Sequence, residues 1–192
     1  MSWSDFRRRR DIMDSAVAEA VRAGSTTDGR IPFDRIDGAR DLFGTEEQLL
    51  LALHQRWHQI LTGHLRAEGA GPEDVTAAPG RENTEDSDQV DAVSRAWRRA
   101  VSLNRDLHAV VNANVERVPA LRLAQDAELR LLAVTSGLAA PHEPEDEVIA
   151  VGATLVALLR HRDVSGTKPS GGSATSGDGA IGQWPRRLAP SA

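Results

Sequence analysis

From Glu46 to Glu68 apolar side chains recur three and four residues apart, with Leu50, Leu53, Trp57, Ile60, Leu61 and Leu65 on one face. That spacing is the period of an α-helix, and the stripe it creates has to be covered by other elements. Thr45-Glu46-Glu47-Gln48 stands where the helix would begin. It is a capping box, in which the threonine and glutamine side chains are expected to satisfy each other's free amides. The partners of such a stripe are constrained by composition: 40% of residues are apolar but only 4% aromatic, and tyrosine is absent. Leu, Val, Ile and Ala therefore build the core, a palette that suits helix-on-helix packing better than a sandwich of aromatic and β-branched strands. The expected fold is all-α, an orthogonal or bundle-like domain of about five to seven helices with a disordered C-terminal tail.

The same period, broken by caps and turns, divides the rest of the chain. A first helix is expected from Asp5 to Ala23, capped by Ser4 and closed by Gly24, with Ile12, Met13, Ala16, Val17, Ala20 and Val21 inward. Residues 24–44 break the pattern at Asp28-Gly29, Pro32 and Asp37-Gly38, with one helical turn at Ala39–Phe43. The stretch 69–87, rich in Gly, Pro and acids, is read as a flexible linker. Beyond it, Val90, Val93, Trp97, Ala100 and Val101 mark a helix, and Leu107, Val110 and Val111 a second. Pro119 opens a third, along which Leu121, Ala124, Leu131, Val134 and Leu138 keep period. The last helix starts at Pro144 with three acids and ends on Arg160, His161 and Arg162, suiting the helix dipole at both ends. Residues 1–162 are thus expected to form one helical domain, and 163–192 a disordered Gly/Ser-rich tail.

Several function classes drop out on composition. With 28 acids against 23 bases the net charge is −5, so no global basic field gathers nucleic acid or anionic lipid. There is no cysteine for a disulfide, a thiolate nucleophile or a thiolate metal site. The apolar run Val148–Leu159 is too short to cross a bilayer, and Arg7–Arg10 leads into an acidic amphipathic stretch rather than a signal core. A cytoplasmic protein without membrane contact is expected.

The motifs with chemical content are short. His54 and His58 lie one turn apart with Glu47 a heptad before His54, a pattern that supplies part of a metal site but lacks the third and fourth ligands from another element. His108, near Asn112 and Glu116, is a residue that a second helix offers. The expectation is nevertheless no metal and no cofactor. Arg7, Arg8, Arg9 and Arg10, beside Trp3 and Phe6, are candidates for DNA-backbone contacts, although nearby acids nearly cancel their charge. Gly177, Gly179 and Gly182 spell a dinucleotide fingerprint without the strand and helix it needs. Trp184-Pro185-Arg186-Arg187-Leu188 has the form of a docking peptide. No nucleophile elbow, phosphate loop or His-Glu-x-x-His is present.

Ile12 and Ala16, Gly24 after them, and Leu42-Phe43-Gly44 through Glu47, Leu50, Leu51 and Ala52 resemble the N-terminal region of TetR-type transcriptional regulators, over about residues 10–57. The resemblance implies DNA binding by residues 5–44, later helices around an apolar effector, and dimerisation through the last two. Where that family's helix-turn-helix lies, at Ile31–Leu42, this chain has Pro32, Asp37 and Gly38. The Leu-rich, Trp-His-containing helix also resembles that of actinobacterial helical proteins, which brings no function with it. With no catalytic motif and a last helix apolar nearly all round, the expected function is non-enzymatic binding of a protein partner or a small apolar ligand. A homodimer is expected, with Val148, Leu155 and Leu159 as interface residues. A diverged DNA-binding regulator is the alternative, and metal binding at His54/His58 the third reading.

Overall fold

The computed structural model describes residues 3–24, 30–70 and 84–165, with the side chains of 84–87 and 162–165 left aside. Among them are seven α-helices and no strand: α1 (Trp3–Arg22), α2 (Ala39–Phe43), α3 (Glu46–Ala67), α4 (Thr84–Leu103), α5 (Arg105–Asn114), α6 (Pro119–Thr135) and α7 (Glu145–Ser165). A single 3-10 turn, Phe33–Arg35, precedes α2. The all-α expectation holds. None of these helices is long and apolar enough to cross a membrane.

Helix α3 is the hub. It packs on α1, α2, α4, α5 and α6, while α7 covers the outer side of α6. Of the stripe read from the sequence, Leu50, Leu53, Trp57, Leu61 and Leu65 are buried and Ile60 is partly so, and Leu49 is buried beside them. Each such side chain contributes roughly 1.5–3 kcal/mol relative to exposure. One cluster of buried residues runs from Ile12 of α1 through Trp97 of α4 to Leu159 of α7, so the helices on both sides of residues 69–87 share a core.

Local signals set the helix ends. The Gln48 N–H donates to Thr45 Oγ1 at 3.2 Å, one half of the capping box. The other half differs from expectation, because the Thr45 N–H donates to the Phe43 carbonyl instead. Gly44, at φ 72°, ends α2 in the left-handed region that glycine tolerates. At the end of α3 the Ala70 N–H returns to the Leu65 carbonyl at 2.9 Å, and Ala70 is buried. The stretch read as a linker is therefore ordered at both edges, since α4 already begins at Thr84. Residues 71–83 and the tail beyond 165, with its glycine fingerprint and its Trp184–Leu188 peptide, lie outside the described residues.

Val148, Leu155 and Leu159, read as interface residues, are buried within the chain, as is Val156. They face inward because α6 and α7 meet almost backbone to backbone at Gly152. That proximity lets α7 bury these apolar side chains against the rest of the chain. Among the described residues of α7, Leu158 is the large hydrophobic one left exposed.

Candidate functional site

Two places in the helical frame concentrate functional groups, one inside it and one on its surface. The internal one is centred on Glu128, a carboxylate only 7% exposed on the buried face of α6. Trp57 of α3 donates its Nε1–H to both carboxylate oxygens, at 3.0 Å each. His54, one turn earlier on α3, places Nε2 3.3 Å from Glu128 Oε2. That nitrogen is buried but out of hydrogen-bonding alignment. His108 of α5 packs its ring against Trp57 at 4.7 Å between centroids and meets Trp97 of α4 edge-on at 5.8 Å. Arg160 of α7 donates to Asn112 Oδ1 of α5 at 2.8 Å, beside the same cluster. Helices α3, α4, α5 and α6 thus each contribute at least one side chain to this cluster, with the exposed Arg160 of α7 at its edge.

Burial pushes the pKa of His108 down to about 4, with the Arg160 charge acting in the same direction and Glu128 opposing both. Arg160 is itself lowered by burial, with Glu128 again opposing. The consequence for stability has a definite sign. Above the unfolded value of 6.5 the imidazole is neutral in both states, and between 6.5 and about 4 only the unfolded chain takes up a proton. Stability is therefore lost as pH falls through that window, by about 2 kcal/mol between pH ~7.5 and ~4.5 from this group. Urea melts across that range should show the loss, and His108→Leu should flatten it. An unchanged slope in the variant would show that other groups carry the acid sensitivity.

The space enclosed by His54, Trp57, His108, Gln125 and Glu128 is about 20 Å³. That volume is too small for an organic substrate. Nor do the sequence-predicted ligands assemble. The His54 and His58 rings stack 6.5 Å apart, but Glu47 is exposed. Among the described residues no three His, Asp or Glu come together to hold a metal ion.

On the surface, α1 and α3 diverge to leave a groove of about 800 Å³. Its apolar lining is Phe6, Met13, Leu51, Ala52 and Ile60, and its polar lining is Gln48, Gln55, Gln59, Asn104 and three arginines, Arg9, Arg10 and Arg56. Asp14, just outside, pairs with Arg56 at 2.5 Å and lies 3.9 Å from Arg10. The Arg9 guanidinium sits over the Phe43 ring at 4.6 Å.

The arginines read as one cluster are thus dispersed. Arg9 and Arg10 enter the groove, Arg8 lies 3.9 Å from Asp41, and Arg7 covers Trp3 at 5.8 Å. Between residues 30 and 44 the structure has the 3-10 turn and the five-residue α2. Sequence reasoning missed Glu128 altogether, although one signal was available: it falls a heptad after Leu121 and a heptad before Thr135, an acid on the buried stripe. No family model, curated protein or solved structure matches this chain.

Proposed function

We propose that the protein is a non-enzymatic binding protein that takes a small, largely apolar organic ligand in the groove between α1 and α3. The observation that carries this reading is the groove itself, about 800 Å³ with an apolar wall formed by Met13, Leu51, Ala52 and Ile60. Small-molecule sites are concavities of roughly 300–1,000 Å³, mainly apolar, with a few polar groups that fix orientation. The glutamines and Asn104 supply such groups. The buried acid–imidazole cluster supports the non-enzymatic side of the proposal, because its cavity of about 20 Å³ admits no organic substrate. The binding unit is the single chain, whose α7 spends its apolar side chains on its own core.

The neutral fluorophore N-phenyl-1-naphthylamine tests this directly. It should bind saturably at one site per chain with a blue-shifted emission. Gln55→Trp, at an exposed position in the lining, should block it while leaving the thermal melt unchanged. Undiminished dye binding by a folded Gln55→Trp protein would place the ligand elsewhere.

A further inference from the structure

We infer that the ligand of the α1/α3 groove is an amphipathic organic anion, a single soluble molecule with an apolar body and one anionic head group. This rests on the groove being the ligand site and adds the class of ligand. The argument begins with charge. In a chain with 28 acids and 23 bases, this groove is lined by three arginines and not one acid. Such a local reversal of sign favours an anion and works against a cation.

The arginines are not equivalent. Arg10 and Arg56 share Asp14, which neutralises part of their charge and holds Arg56 in place. Arg9 is half-buried and has no carboxylate partner among the described residues. It rests instead on the face of Phe43. A guanidinium held over a ring face keeps its in-plane N–H groups for a partner, and their fork matches the two oxygens of a carboxylate, sulfonate or phosphate. Phe6, Met13, Leu51 and Ile60 beside it suit an alkyl chain or a ring system. Charge at one end and apolar surface along the rest describe an amphiphile. The half-buried position of Arg9 points to a monomeric ligand entering the groove rather than to a lipid surface touching α1 from outside.

Isothermal titration calorimetry with decanoate, decanol and decyltrimethylammonium, each kept below micelle-forming concentration, tests the inference. Decanoate should bind about tenfold or more tightly than either of the others, the ratio of one charge-assisted hydrogen bond. The preference should shrink with added salt. Arg9→Gln should remove most of it with decanol affinity unchanged, and Arg9→Lys should restore part. Gln55→Glu, which places an acid in the lining without touching Phe43, should weaken decanoate selectively. Equal affinity for decanoate and decanol would overturn the anion inference and leave the groove as a ligand site. Absence of binding by all three, or binding only to anionic phospholipid vesicles, would overturn both.

Discussion

Gly152→Ala should destabilise the protein by roughly 3 kcal/mol or more, even though alanine is the better helix former. A Cβ at this position of α7 would stand 2.1 Å from the Leu129 carbonyl oxygen and 2.7 Å from its carbon. Both atoms belong to the backbone of α6, so no rotamer change relieves the contact and the two helices have to part. Parting them loosens Val148, Leu155, Val156 and Leu159 together, the side chains with which α7 closes the core. At this chain length the shift in melting temperature should be on the order of 10 °C. Gly63→Ala in α3 is the matched control, because nothing lies within 4 Å of its Cβ. It should stabilise by about 0.5–1 kcal/mol through helix propensity. Similar small gains from both substitutions would mean that α6 and α7 do not cross at this distance.

Gly152 also shows where the sequence is legible and where it is not. Information written within a few residues of chain was readable: the Thr45 cap, the glycine stop at Gly44, Pro119 at the head of α6 and the acids opening α7. Each is a local bond or dipole effect that needs no knowledge of the neighbouring helix. The stripe of α3 was readable for a related reason, since a central helix shows one continuous apolar face. What failed depends on how helices rotate against one another. The stripe expected on α6 ran through Leu121, Ala124, Leu131, Val134 and Leu138; Leu121 is buried as expected, but the buried face continues through Glu128, Leu132 and Thr135, and Leu138 is 47% exposed. Helix α6 is covered on two sides, by α3 and by α7, so periodicity alone does not choose the face. Val148, Leu155 and Leu159, on a helix apolar nearly all round, are buried within the chain. The groove was illegible as a unit, because its arginines come from two helices and the side on which they converge is decided only by packing.

The other large effect is expected at Glu128. Glu128→Leu should cost about 2–3 kcal/mol, the penalty for leaving a buried donor without its acceptor. The loss comes from what remains. The Trp57 N–H, held at 3.0 Å by both carboxylate oxygens, would be left buried with no acceptor. Glu128→Gln keeps an acceptor for Trp57 and should cost less, about 1–2 kcal/mol. Adding Trp57→Phe to Glu128→Leu should recover part of the deficit, since the stranded donor leaves with its acceptor, and a double-mutant cycle in urea reads that coupling. Carboxylate removal should also be felt at His108, whose pKa Glu128 holds up against burial and Arg160. In Glu128→Gln the imidazole resists protonation further, so the acid-induced loss of stability extends to lower pH than in the parent. If Glu128→Leu melts like the parent and its acid transition does not move, the polar core is dispensable. The packing of Trp57 and Trp97 around His108 would then be what joins the helices there.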